Sequence, residues 1–73
     1  MYTVKNFKTK KALKEALAAG EKIRVYQPND MAGVTQRVAH GTHHVTLEGP
    51  HFPEPHRWYA QATVVDGFVT AVK

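Results

Sequence analysis

The sequence predicts a single α+β domain over residues 1–73, in which one amphipathic helix packs on a small, mainly antiparallel sheet of about four strands. Three observations lead to this prediction. The chain has 73 residues, which is the size of one small domain. One segment near the N-terminus carries apolar residues at helical spacing. Several later segments alternate apolar and polar residues, and the last two flank an Asp-Gly pair typical of a β-hairpin.

The N-terminal third predicts an edge strand followed by the helix. Residues 2–7 alternate loosely and are interpreted as the strand. Thr9 is predicted to cap the helix, because its hydroxyl can accept a hydrogen bond from a free backbone N–H. Residues 10–19 are rich in strong helix formers, and Gly20 stands where a left-handed residue ends a helix. The apolar stripe of this helix consists of Ala12, Leu13, Ala16 and Leu17.

Two strands are predicted in the middle of the chain. Residues 22–26 alternate with Ile23 and Val25 facing inward, and residues 44–48 alternate with Val45 and Leu47 facing inward. Residues 28–30 form a turn signal, and residues 34–39 are compatible with a short strand or a loop. Residues 49–56 contain three prolines, so they are expected to be neither helix nor central strand but extended, polyproline-type backbone.

The C-terminal segments, residues 57–65 and 68–73, flank Asp66-Gly67 and predict a hairpin. A two-residue turn at Asp66-Gly67 pairs Val65 with Phe68. The same register then places Val64 opposite Val69 and Ala62 opposite Ala71. Trp58 then shares a face with the small residues of this hairpin and is expected to pack in the core.

One helix covers only one face of such a sheet, so the other face is predicted to be open. Alternation places Arg24, Tyr26, His44, Tyr59, Gln61 and Phe68 on that face. Together with Arg57, the aromatic residues Tyr26, Tyr59 and Phe68 form a candidate contact surface. Such a surface suits stacking on nucleic-acid bases, or contact with another protein or a second copy of the chain.

Positive charge is concentrated at one end of the chain. Residues 1–24 contain seven of the ten Lys and Arg residues and two Glu, while the rest of the chain has a net charge of −1. The charges at the start of the helix predict either a phosphate-binding site, on nucleic acid or a small ligand, or a solvated charged face. The candidate anion-binding residues are Lys8, Lys10, Lys11, Lys14 and Arg24.

Five histidines lie within seventeen residues, at positions 40, 43, 44, 51 and 56. His40, His43 and His44 are the candidate ligands of a zinc site. Neighbouring residues of a strand face opposite sides, which argues against His43 and His44 sharing one ion. We expect the imidazoles to satisfy backbone groups near the prolines instead. The chain contains no serine or cysteine and no glycine-rich phosphate loop, so neither an enzyme nor a cofactor is expected.

The location of the protein is predicted from its composition. The absence of cysteine fits a reducing compartment. The N-terminal residues resemble no signal peptide, and no apolar stretch approaches the length of a membrane span. We therefore expect a cytoplasmic protein that does not contact membranes.

Residues 7–14, 19–21 and 48–60 together resemble a group of short, uncharacterised proteins encoded by bacteriophages and prophages. The specific part is the Gly-Pro-His-x-Pro-x-Pro-His-x-Trp-Tyr segment, residues 49–59. The resemblance implies a bacterial host cytoplasm and a small accessory role, and it supplies no catalytic residues. The expected function is a non-enzymatic binding module acting by protein–protein contact or self-association; the alternatives are a basic nucleic-acid-binding protein and a histidine metal site.

Overall fold

Five strands and two helices form the fold in the computed structural model, which describes residues 1–73. The strands β1 and β2 form a two-stranded antiparallel sheet, and β3, β4 and β5 form a three-stranded antiparallel sheet in that order. The α+β prediction is confirmed, although there are two sheets and a second helix. The elements are β1 (Tyr2–Thr3), α1 (Lys10–Ala18), β2 (Val25–Tyr26), α2 (Val34–Val38), β3 (Thr42–Gly49), β4 (Trp58–Val65) and β5 (Phe68–Val72).

Backbone hydrogen bonds join the two sheets at both ends. On one side, the Val69 N–H donates to the Ile23 carbonyl at 2.8 Å, and the Val25 N–H donates to the Gly67 carbonyl at 3.2 Å. On the other side, the Glu48 N–H donates to the Met1 carbonyl at 3.1 Å. The strands therefore form an almost closed ring, in the order β1-β2-β5-β4-β3, around the core.

The predicted caps of α1 are confirmed. The Thr9 hydroxyl accepts a hydrogen bond from the Ala12 N–H at 3.0 Å. At the other end, Gly20 has a φ of +83°, and its N–H donates to the Leu17 carbonyl at 3.0 Å. This is the left-handed ending expected of a glycine at that position. Leu13, in the middle of the apolar stripe, is fully buried, so α1 covers the inner face of the three-stranded sheet.

The expectation of a strand or loop over residues 34–39 is wrong, because α2 forms there. Asp30 explains the difference: its two carboxylate oxygens accept hydrogen bonds from the N–H groups of Val34 and Thr35, each at 2.8 Å. The bond from Thr35, joined by that from Val34, holds the pKa of the Asp30 carboxyl below its ordinary value. The helix turns Val38 into the core, where it is 4% exposed.

The hairpin register is confirmed near the turn and is wrong further out. Val65 faces Phe68, as predicted, but the register shifts between Thr63 and Val64, so Ala62 faces Val72 instead of Ala71. A β-bulge inserts one residue into β5, and one extra residue reverses the faces of every side chain beyond it. Val72 consequently packs against the core, and Ala71 is exposed.

Trp58 lies in the core, as expected. It is 8% exposed, and its indole N–H donates to the Phe7 carbonyl at 3.0 Å. Gly49 lies opposite Trp58 in the β3–β4 ladder, and its missing side chain leaves room for the indole ring. The buried cluster consists of Phe7, Leu13, Ile23, Val25, Val38, Leu47, Trp58, Ala60, Ala62, Val64 and Val69.

Neither α1 nor α2 has the length and apolar composition that a membrane-spanning helix needs.

Candidate functional site

The side of the β3-β4-β5 sheet that faces away from α1 carries mostly exposed side chains. Its largest member is Tyr59, which is 58% exposed. Neighbouring pairs across the β3–β4 ladder place His44 opposite Thr63 and Thr46 opposite Gln61. We call this surface the open face; it consists of Thr42, His44, Thr46, Tyr59, Gln61 and Thr63.

The predicted contact residues divide between this face and its borders. Phe68 is half-buried where β5 meets β2, and the Arg24 guanidinium lies over its ring, 5.1 Å from the centroid. Arg57 is exposed just before β4. The placement of Tyr26 on the same open face is wrong, because β2 pairs with β1 in the second sheet and leaves Tyr26 half-buried.

Tyr26 instead belongs to a cluster of aromatic rings. The Tyr2 ring stacks on the His51 imidazole with centroids 4.5 Å apart, and Tyr26 meets the edge of Tyr2 at 5.9 Å. His56 makes edge contacts with Tyr2 at 5.4 Å and with Tyr59 at 6.5 Å. This aromatic cluster, formed by Tyr2, Tyr26, His51 and His56, joins the two-stranded sheet and the proline-rich segment to Tyr59 on the open face.

Hydrogen bonds fix the proline-rich segment on the aromatic cluster. The Tyr2 hydroxyl accepts the Phe52 N–H at 3.2 Å and lies 2.6 Å from His56 Nε2. The His51 imidazole donates from Nε2 to the Thr3 carbonyl at 2.8 Å. The prediction of an extended, polyproline-type segment is wrong. The segment forms a turn, in which the Glu54 N–H donates back to the His51 carbonyl at 3.1 Å. The expectation that imidazoles satisfy backbone groups near the prolines is confirmed for His51.

Glu48, His56 and Tyr2 form a series of polar groups that resembles a catalytic relay in its chemistry. A carboxylate oxygen of Glu48 lies 3.6 Å from His56 Nδ1, and His56 Nε2 faces the Tyr2 hydroxyl. Tyr2 is only 6% exposed, and its hydroxyl oxygen is engaged by the Phe52 N–H. This geometry holds a loop in place and presents no accessible nucleophile to a substrate.

Phe52 stands at the turn of this fixed segment and is 82% exposed. Strand alternation gives no indication of this residue; its signal in the sequence is a phenylalanine between proline residues. Phe52 and Tyr59 flank the same aromatic cluster, one through Tyr2 and the other through His56. Val4 and Met31 are also exposed, but no aromatic or ionic contact ties either of them to this cluster.

The basic residues predicted to bind anions do not form one group. Lys8, Lys10, Lys11 and Lys14 lie at the start of α1, whose first turn has no acidic residue. None of the four lysines forms an ion pair, whereas the neighbouring Lys5 pairs with Glu21 at 3.0 Å. Arg24 is committed to the Phe68 ring instead. The lysines are thus a cluster of free charges without a built anion site.

The histidine metal site is not supported by the geometry. No three histidine, aspartate or glutamate side chains converge in a way that could hold an ion. His43 is engaged with the His40 carbonyl, 2.7 Å from its Nε2, and His44 faces the opposite side of β3 with its Nδ1 3.3 Å from the Thr63 hydroxyl. His43 and His44 therefore face opposite sides of β3, as strand alternation predicts, and cannot share one ion.

Two open grooves are present. One, of about 560 Å³, lies between β2 and α2 and is lined by Arg24, Asp30 and Gln36 among others. The other, of about 280 Å³, lies beside the β-bulge and is lined by His44 and Lys73 among others. Both open widely to solvent, unlike the enclosed pockets that bury most of a small ligand.

Comparison with protein families, with curated proteins and with solved structures finds no match to the chain.

Proposed function

We propose that this protein is a non-enzymatic binding module that acts by protein–protein contact or self-association, as a small phage-type accessory protein of the host cytoplasm. The observation that carries the proposal is the pair of exposed aromatic side chains, Phe52 and Tyr59, which are 82% and 58% exposed on either side of the aromatic cluster. Aromatic residues are enriched at protein interfaces relative to the rest of the surface.

The rigidity of the support adds to this argument. The proline-rich segment that carries Phe52 is held by hydrogen bonds from Phe52 to Tyr2, from His51 to Thr3 and from the His51 N–H to the Asn6 side chain at 3.0 Å. A side chain presented on a fixed backbone loses less conformational entropy when it binds. Such a fixed aromatic loop beside an exposed sheet face suits a binding surface better than a solvated linker.

A second candidate function is nucleic-acid binding, which the lysine cluster favours. Four lysines have no ion-pair partner, and two of them, Lys10 and Lys11, lie in the first turn of α1, where the helix dipole is already positive. The lysine charges repel one another and the positive end of the helix dipole, and a bound polyanion would relieve this repulsion. Tyr59 would then stack on bases, while the lysines contact phosphates.

Sedimentation velocity of the purified protein distinguishes the two functions. Runs at about 50 mM and about 500 mM NaCl, with and without short single- and double-stranded DNA, separate aromatic contact from counterion release. The proposal predicts an associated species that resists salt and ignores DNA. A DNA complex that dissociates at high salt, with no association of the protein alone, would favour the nucleic-acid function.

Two matched double variants locate the contact. Phe52→Ala with Tyr59→Ala removes the exposed aromatic groups and should weaken association without unfolding the protein, because both side chains are exposed. Lys10→Glu with Lys11→Glu should leave association unchanged; under the nucleic-acid function the same variant would remove DNA binding. Association of unchanged strength after the loss of both aromatic side chains would refute the proposed surface.

A further inference from the structure

The outer edge of β3 carries unpaired backbone groups. In an antiparallel sheet, the N–H and C=O groups of one residue point to the same edge of the strand, and those of the next residue point to the opposite edge. The Glu48 N–H points away from β4, to the Met1 carbonyl. The N–H and C=O groups of Thr42, His44 and Thr46 therefore point the same way, and none of them bonds to another part of the chain.

This edge lacks the devices by which proteins block pairing with a further strand. Edge strands are usually protected by lysine, by proline, by a bulge or by a covering segment. Residues 42–47 contain no lysine, arginine, acidic residue or proline, and the β3–β4 register runs unbroken over eight residues. The other outer strand, β5, is bulged and is engaged at its start by Ile23 and Val25.

We infer that the β3 edge pairs with the β3 edge of a second copy, in antiparallel register centred on His44. This inference rests on the proposed binding function and names the partner and a surface for it. Thr42 of each copy then lies opposite Thr46 of the other, and the two His44 residues face each other. Three N–H and three C=O groups on each edge complete six hydrogen bonds, so the edge is its own complement.

The side chains fit this register as well. On the open face, the pairs are Thr42 with Thr46 and His44 with His44; opposed threonines stabilise antiparallel strands. On the inner face, half-buried Val45 lies opposite half-buried His43 of the other copy. The basic lysine cluster belongs to α1, on the covered side of the sheet, so it does not oppose the pairing. The three-stranded sheets of the two copies then form one six-stranded sheet, on which the two open faces make a continuous surface.

The critical variant is His44→Pro. Proline has no N–H, and it is tolerated in an edge strand where that group faces solvent. His44→Ala is the matched control, because it removes the same side chain and keeps the N–H. In sedimentation equilibrium, His44→Pro should raise the dimer dissociation constant by about 30-fold or more, since two of six hydrogen bonds are lost. His44→Ala should leave most of the affinity.

A second measurement does not depend on the variant folding. In the wild-type protein, the amide hydrogens of Thr42, His44 and Thr46 should exchange rapidly with solvent when dilute and become protected as concentration rises. Fast exchange of all three at every concentration, or a dimer equally stable in His44→Pro and His44→Ala, would overturn the inference. Association lost with Phe52→Ala and Tyr59→Ala but unaffected by His44→Pro would do so too, while leaving the proposed function intact.

Discussion

The contact between Gly49 and Trp58 predicts a large effect from one methyl group. A Cβ added at Gly49 would lie 2.5 Å from Cζ2, 2.6 Å from Cε2 and 2.7 Å from Nε1 of the indole ring. Favourable separations between carbon atoms are about 3.5–4.0 Å, so the ring must move by about 1 Å. Gly49→Ala is therefore expected to destabilise the protein rather than fill an empty space.

The magnitude follows from what the ring would lose. Overpacking a close-packed core costs about 1–3 kcal/mol. The displaced Trp58 also gives up its hydrogen bond to the Phe7 carbonyl, 3.0 Å long, which adds about 1 kcal/mol. The expected loss of about 2–4 kcal/mol is most of the stability of a domain of this size.

A double-mutant cycle measured by urea denaturation and circular dichroism tests this reasoning. Trp58→Phe removes the outer part of the indole, including Cζ2, the atom nearest to the new Cβ, so Gly49→Ala should cost less in that background. The same cost in both backgrounds would refute the steric argument, because the effect would then come from the backbone of Gly49 alone. A Gly49→Ala variant within about 0.5 kcal/mol of wild type would also refute it.

Three further predictions concern the helices. Thr9→Ala removes the cap of α1, which should cost about 1 kcal/mol and lower Tm by about 4–8 °C in a calorimetric scan; an unchanged Tm would contradict the capping role. Asp30 has a lowered pKa when folded, so its stabilising contribution is present above its unfolded value and is lost as pH falls through the lower folded value. Asp30→Asn should accordingly be less stable than wild type at about pH 5, with the gap narrowing at about pH 3 in urea titrations, and a constant gap would contradict this. Replacing Lys10 and Lys11 by glutamate should raise Tm, because acidic residues suit the helix N-terminus; a fall in Tm would show that these lysines stabilise the fold.

Local signals were sufficient to predict α1 and the hairpin turn. Thr9 and Gly20 stand at the ends of α1, and a cap or a left-handed glycine depends on neighbours in sequence only. Asp66-Gly67 likewise places Val65 opposite Phe68. The α+β class followed from these elements and from the alternation of the strands.

The errors arose where the outcome depends on distant contacts. Residues 34–38 have weak helical preference, and the helix forms because Asp30 bonds to two of its N–H groups. The bulge opposite Thr63 leaves no mark in the sequence, yet it exchanges the positions of Ala71 and Val72. Periodicity places a side chain on one face or the other, but it does not show which strand becomes the neighbour.

The candidate site was only partly predictable for the same reason. Tyr59 was placed on the open face by alternation, and it lies there. The aromatic cluster was not predicted, because Tyr2 and His56 are separated by more than fifty residues and meet only in the folded chain. The exposure of Phe52 cannot be predicted from alternation, because it results from the turn that this cluster holds in place.

The most direct test of the central claim is an NMR concentration series on ¹⁵N-labelled protein, from about 20 μM to about 1 mM, a range that covers weak to moderate self-association. We expect amide chemical shifts to change with concentration at Phe52, at Tyr59 and along residues 42–46, and to stay constant at the lysines of α1. A spectrum that is the same at every concentration, with shifts appearing only at residues 8–14 when DNA is added, would contradict it.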